Sequence, residues 1–137
     1  MRKKVYMSFS TDVIHGGHIS IIQKAASLGE LTVGVLTDEV VASFKRFPVL
    51  SYKERANLLA GIKGVEKVIP QTELSYAKNV RLLKPDFIVH GDDWVTGFQK
   101  SIRDELIEVL KEYGGELVEY PYTQKAEYEN LEKSQQE

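Results

Sequence analysis

Two of the three histidines in this 137-residue chain stand three residues apart in the run Asp12-Val13-Ile14-His15-Gly16-Gly17-His18. Val5-Tyr6-Met7-Ser8-Phe9, just before it, is a short β-prone run, and a helical pattern begins at about His18. Strand, glycine turn and helix start therefore converge on the two imidazoles. The first N–H groups of a helix lack intrahelical partners and the helix dipole favours negative charge, so such a turn is a ready-made anion site. Imidazoles at its rim add neutral or cationic donors, which is the chemistry of phosphate handling. Two other readings stand beside it. Asp12, His15 and His18 have the spacing of metal ligands on one helix face, although first-row metals usually require a third or fourth ligand with defined geometry, and the glycine pair favours close ligand approach. The histidines could also do no more than cap the helix.

Two further clusters carry chemistry. Phe44-Lys45-Arg46-Phe47-Pro48 places adjacent cations in a loop that proline ends. Alone, Lys45 and Arg46 read as a solvated pair; beside an anion site they are placed to neutralise a leaving phosphate. Arg55, on a helix that starts nearby, can offer a fork-shaped contact, or can simply be a solvated helix residue. His90-Gly91-Asp92-Asp93-Trp94 ends a strand, with carboxylates able to accept from a base, an amine or a hydrated metal. Asx-turn capping is the competing reading for the carboxylates, and packing for Trp94.

The elements that must position these residues alternate. Strand-like runs at Lys4–Phe9, Leu31–Leu36, Lys67–Pro70, Phe87–His90 and Glu116–Tyr120 are separated by helical stretches. Ile19, Ile22 and Ala26 recur at helical spacing before Gly29, which is expected to stop the first helix. Thr37 or Asp38 can cap a helix through Ser43, and Ser51 with Glu54 forms a capping box for Tyr52–Ile62. Tyr76–Leu83 and Ile102–Tyr113 supply two more helices, the second ended by Gly114-Gly115. The expectation is an α/β, Rossmann-like open parallel five-stranded sheet with helices on both faces. Ligands bind such sheets outside the strands' carboxyl ends, where strand order reverses, and every polar cluster above follows a strand.

Composition narrows the partners. At 42% hydrophobic and 28% charged, the chain has the size and core of one domain, expected over 1–123, followed by a polar tail or helix over 124–137 with two lysines against four glutamates. A net charge of −2 argues against nucleic acid and anionic membranes. The absence of cysteine excludes disulfides, thiolate nucleophiles and Cys-based zinc sites. Met1-Arg2-Lys3-Lys4 leads into too short an apolar run for a signal peptide, and no apolar stretch is long enough to span a membrane, so a cytoplasmic protein is expected.

Over roughly residues 3–123 the chain resembles the HxGH cytidylyltransferases of the glycerol-3-phosphate and phosphocholine type. The likeness is carried by Asp12–His18, Ser51-Tyr52-Lys53-Glu54-Arg55, Val65-Glu66-Lys67-Val68-Ile69-Pro70 and Gly91-Asp92-Asp93-Trp94, in family order. A lone HxGH is weak evidence, whereas four ordered motifs are strong. Val33–Asp38, Ala42–Arg46, Ile62-Lys63-Gly64-Val65 and Phe87–Trp94 carry a narrower likeness to the CTP:2-aminoethylphosphonate cytidylyltransferases associated with phosphoenolpyruvate mutase.

The resemblance implies attack of a phosphonate oxygen on the α-phosphorus of CTP, release of pyrophosphate and no covalent enzyme intermediate. His15, His18 and Lys45 would be catalytic, reaching the phosphates, while Phe9, Ser10, Thr11, Asp12, Gly17, Arg55, Lys63, Gly91, Asp92, Asp93, Trp94 and Thr123 would bind nucleotide. Mg²⁺ would ride on the triphosphate, with no metal site of protein ligands, and a homodimer is expected. Phe9-Ser10-Thr11-Asp12 stands where many relatives have Gly-Thr-Phe-Asp, and Gln124-Lys125-Ala126-Glu127 where they have a Gly-Ile-Ser-Ser/Thr-Thr phosphate motif. Glycerol 3-phosphate or phosphocholine as acceptor, and a catalytically weak nucleotide-binding or dimerisation module, are the alternatives.

Overall fold

A computed structural model describes residues 2–10, 14–44, 46, 48–97 and 99–121. Five strands, β1 (Lys4–Phe9), β2 (Glu30–Leu36), β3 (Val65–Gln71), β4 (Phe87–Gly91) and β5 (Glu116–Tyr120), alternate with helices α1 (Gly16–Ala26), α2 (Asp38–Phe44), α3 (Tyr52–Ala60), α4 (Ala77–Leu83) and α5 (Lys100–Lys111). All strand pairs are parallel, in the order β3-β2-β1-β4-β5. The chain thus winds outward in one direction from β1 to β3 and in the other from β4 to β5. The reversal falls between β1 and β4, so the crevice expected of an α/β, Rossmann-like sheet opens beside the carboxyl ends of those two strands.

Alternation along β1 decides which residues each layer covers. Val5, Met7 and Phe9 join Val33 and Val35 beneath Ile22 and Ala25 of α1 and Leu59 of α3. Tyr6 and Ile88 turn the opposite way, beneath Val80 of α4 and Leu106, Val109 and Leu110 of α5. At roughly 1.5–3 kcal/mol for each large apolar side chain buried, these two layers supply the main stabilising term.

The boundaries depart from expectation in local ways. Helix α1 begins at Gly16, so the glycine pair forms its first two residues rather than a turn before it. It ends at Ala26, where the Ser27 hydroxyl donates to the Lys24 carbonyl, three residues before the expected stop. Gly29 is needed for a different reason: a Cβ there would overlap the Lys3 carbonyl. Strand β3 starts at Val65, earlier than the apolar pattern indicates, because it lies at the sheet edge and leaves Glu66 and Lys67 exposed. Helix α5 starts at Lys100 and ends at Lys111, two residues earlier at each end than expected, and the glycine pair closes the turn after it: Gly114 takes φ +90 and its N–H, like that of Gly115, reaches the Leu110 carbonyl. The expected tail over 124–137 lies outside the described residues.

Candidate functional site

His15 is the N-cap of α1, extended at φ −130 and ψ −179. Its Nδ1 accepts the Gly17 N–H at 3.0 Å, and the His18 Nδ1 accepts the His15 N–H at 3.2 Å, forming a reciprocal capping box. Each neutral ring must therefore carry its proton on Nε2. The rings lie 3.9 Å apart, tilted by 32°, and the Phe9 ring meets His18 edge-on at 5.7 Å. The capping reading and the donor reading are thus compatible, because capping uses Nδ1 and fixes which nitrogen is the donor. One expectation changes: the Gly17 N–H is committed to the His15 ring.

Arg55 is placed differently from its expected role at the phosphates. It is 1% exposed, and its guanidinium donates to the Leu36 carbonyl at 2.8 Å, the Leu50 carbonyl at 3.1 Å and the Asp38 carboxylate at 2.7 Å. It fastens the end of β2 to the segment that enters α3, and its burial turns the fork inward to these partners. Lys63 is also out of place for nucleotide contact. It is exposed and precedes β3, at the amino-terminal edge of the sheet, where its carbonyl accepts from the Gln23 side chain. Lys45, Thr11, Asp12 and Thr123 lie outside the described residues, and so does the complete Asp12–His15–His18 metal reading. Among the described residues, no three His, Asp or Glu side chains converge as metal ligands.

At the end of β4, Asp92–Trp94 form a single 3-10 turn after the buried Gly91. Asp92 and Asp93 are exposed, whereas Trp94 is 1% exposed and offers packing rather than an open stacking platform. The His90 ring lies flat against it, with centroids 3.6 Å apart at 1°. His90 Nδ1–H donates to the Gly91 carbonyl at 2.7 Å, while burial holds the imidazole below its ordinary pKa. The Trp94 indole N–H donates to Glu119 at 2.7 Å, and Arg103 grips the same carboxylate with two bonds of 2.9 Å. That hydrogen-bonded guanidinium keeps Glu119 below the usual carboxylate range. Sequence reasoning missed Glu119 and Arg103, since nothing local marks residues 16 apart as partners.

A pocket of about 70 Å³ opens on the α4/α5 side of the same strand ends, with Ser8, Ser10, Gln71, Tyr76, His90 and Trp94 in its wall. Gln71 in that wall belongs to a buried polar chain: the Tyr6 hydroxyl donates to Gln71 Oε1 at 2.5 Å and accepts from Asn79 at 3.0 Å, while the Gln71 amide donates to the Glu73 carbonyl at 3.0 Å. Burial raises the Tyr6 hydroxyl to about 12, so it remains a neutral donor. Gly34 makes room for this chain, because a Cβ there would overlap the Tyr6 hydroxyl. A glycine inside an apolar strand was the one sequence sign of so close an approach.

Comparison with known proteins shows the family and the fold. HldE, a bifunctional protein of Helicobacter pylori strain J99, is 35% identical over 119 residues, covering 82% of this chain and 26% of that protein. The FAD synthase of Methanopyrus kandleri is 30% identical over 97 residues, covering 68% of this chain and 65% of that protein. The chain thus spans about a quarter of the former and just under two thirds of the latter. The crystal structure of a lipopolysaccharide core biosynthesis protein from Thermoplasma volcanium has a TM-score of 0.75 at 25% identity, covering 90% of this chain and 100% of that one. Pantothenate synthetase from Thermus thermophilus, at 11% identity and a TM-score of 0.60, shares the fold. A family model described as Cytidylyltransferase-like matches residues 10–131, a span that contains the histidine turn, the Ser51–Arg55 segment and Gly91–Trp94, and the chain belongs to that family.

Proposed function

We propose that the chain transfers a nucleotidyl group, CMP from CTP, to a small phosphonate, with 2-aminoethylphosphonate as the acceptor. The observation that carries this reading is the His15–His18 capping box at the strand-order reversal, which fixes two imidazole Nε2–H donors side by side. An acceptor phosphonate oxygen attacks the α-phosphorus, the bond from that phosphorus to the bridging oxygen breaks, and pyrophosphate leaves with the electron pair. Negative charge grows on the phosphate oxygens of the pentacoordinate state. Donors that are already oriented stabilise that charge without reorganising, an effect worth roughly 10²–10³ in rate for each. Lys45, which follows α2 in the chain, would neutralise the departing phosphates. Arg55 acts one step back, holding the segment between α2 and α3 in place.

Mg²⁺ would ride on the triphosphate, matching its preference for phosphate oxygens and retained waters. There it would supply charge neutralisation on phosphate oxygens. Gly91, Asp92 and Asp93 lie beside the crevice and would border the nucleotide, with Ser10 and Phe9 on the β1 side. A two-fold dimer belongs to the same reading, and sedimentation showing a monomer at high concentration would refute that part.

The test is pyrophosphate release from CTP and Mg²⁺ that depends on 2-aminoethylphosphonate. Release driven only by glycerol 3-phosphate or phosphocholine moves the acceptor and keeps the reaction. Calorimetric CTP binding with no release for any acceptor supports a nucleotide-binding module instead.

A further inference from the structure

The carboxyl ends of β4 and β5 carry a group of side chains that the reaction above does not use. The two strands pair in parallel, with His90 opposite Glu119. Ile88 and Leu117, two residues earlier on each strand, pack with the residues of α4 and α5. Alternation therefore brings His90 and Glu119 to that same face, away from α1 and its two histidines. Arg103 of α5 closes on Glu119 with two bonds of 2.9 Å, one to each carboxylate oxygen. This fork fixes the plane of a carboxylate as well as its place. The oxygen that takes the Arg103 Nε–H also accepts the Trp94 indole N–H at 2.7 Å.

That bond matters because of the turn Trp94 closes. Asp92–Trp94 is one three-residue 3-10 turn, and its N-cap, Gly91, makes no side-chain cap bond. A 3-10 turn also has poorer hydrogen-bond geometry than an α-helix, so contacts from elsewhere in the fold weigh heavily on where it points. Trp94 makes those contacts. It is 1% exposed, lies flat on the His90 ring with centroids 3.6 Å apart, and has the Tyr76 ring 5.7 Å away. Ring packing of this kind tolerates sliding in the plane of the ring, whereas a hydrogen bond at the indole N–H is directional. Asp92 and Asp93 at the other end of the turn are exposed. They stand two residues and one residue from the anchored ring and take their direction from it.

We infer that Glu119, clamped by Arg103, is the positioning residue of the Asp92–Trp94 turn: it fixes Trp94 through the indole N–H, and Trp94 sets the direction in which Asp92 and Asp93 meet the nucleotide. The inference rests on the nucleotidyl-transfer reading for what the turn meets. It adds to that reading two residues, from β5 and α5, that act through Trp94 rather than on the nucleotide. Arg103 stands one step further back, since it acts on the carboxylate. The two sides of the crevice are thus oriented by different means. The histidine turn is held by its own helix cap, whereas the turn after β4 is held from β5, the edge strand of the sheet. A change at Glu119 is felt after β4 and not at the histidines.

The experiment pairs NMR of the full chain with calorimetry of CTP and Mg²⁺. Trp94 is the only tryptophan, so its indole N–H gives a single resonance. In Glu119→Leu that resonance should move together with the Asp92 and Asp93 amides, while the amides from Gly16 to Ile19 stay in place, and CTP should bind about tenfold more weakly. Glu119→Gln keeps an oxygen for the indole N–H and should hold CTP within about threefold of the parent. Trp94→Phe removes the same N–H from the other side and keeps a ring against His90. Combined with Glu119→Leu, it should weaken CTP no more than the larger single change does. If Glu119→Leu does not fold, Arg103→Lys, which keeps the charge without the fork, should move the same three resonances to a smaller extent. Unmoved Asp92 and Asp93 amides, parental CTP affinity in Glu119→Leu, or additive losses in the double variant overturn the assignment and leave a pair that only stabilises the fold. A parent chain that binds no CTP refutes the nucleotidyl-transfer reading, and the Asp92 and Asp93 resonances then decide alone whether Glu119 positions the turn.

Discussion

His15 and His18 are each other's orienting group. The backbone N–H of His15 donates to the His18 ring, and the His15 ring closes the start of the helix that carries His18. Neither imidazole can turn without breaking a bond that caps α1, so the donor geometry is built into the helix terminus.

This coupling can be dissected at one position. His15→Ala removes both the cap and the imidazole, and should cost about 1 kcal/mol of stability, the usual loss on replacing a good N-cap by alanine. His15→Asn keeps a side chain that caps well and should remain near parental stability. Both should lower turnover by roughly 10²–10³ if the ring is a transition-state donor. Urea unfolding read beside pyrophosphate release distinguishes the roles. Parental turnover in the asparagine variant would reduce His15 to a cap.

Arg55 calls for the opposite outcome, a large effect on stability. Arg55→Met strands the Leu36 and Leu50 carbonyls and leaves the Asp38 carboxylate, 33% exposed, without its partner. Breaking one side of a buried pair typically costs about 3–5 kcal/mol, and the partial exposure of Asp38 places the expectation at the lower end. Denaturant unfolding measures this loss. An unchanged midpoint with a raised KM for CTP would instead return Arg55 to the phosphates.

How much of this was legible in the sequence depends on how local each determinant is. Strand β1, strand β4, and the Ser51–Glu54 box that starts α3 were readable, because alternation, apolar runs and caps are written within a few residues. The His15–His18 turn at the start of α1 was readable for the same reason. Arg55 was not, since its burial depends on Leu36 and Asp38, which only the stacking of α3 beside β2 brings to it. Lys63 was misassigned because proximity to a motif in sequence says nothing about which end of a parallel strand it occupies. Tyr6, Gln71 and Asn79 meet only through the sheet, so the pocket above them had no sequence signal beyond Gly34.

That glycine gives a test of the polar chain. Gly34→Ala would drive a methyl group into the Tyr6 hydroxyl and should destabilise by about 1–3 kcal/mol, as overpacking does. Tyr6→Phe should cost about 1–3 kcal/mol by leaving Gln71 and Asn79 without their shared hydroxyl. Because both changes act on that group, the double variant should lose less than the two losses combined. Additive losses in urea unfolding would show that Gly34 and Tyr6 are energetically independent.

The stacked pair His90 and Trp94 provides a pH readout, since Trp94 is the only tryptophan in the chain. Burial disfavours the imidazolium and lowers the His90 pKa from 6.5, against smaller opposing effects of the Gly91 carbonyl, Asp93 and Glu119. In the unfolded chain His90 takes up its proton near the ordinary value, so below about pH 6.5 the unfolded state binds more protons and stability declines as pH falls toward the folded-state pKa. A protonated imidazole against the indole quenches its emission. Native-state Trp94 fluorescence should therefore fall with a midpoint below 6.5, and His90→Gln should abolish both that step and the His90 share of the stability slope. A midpoint at or above 6.5 would mean that the Gly91 carbonyl, Asp93 and Glu119 together outweigh burial.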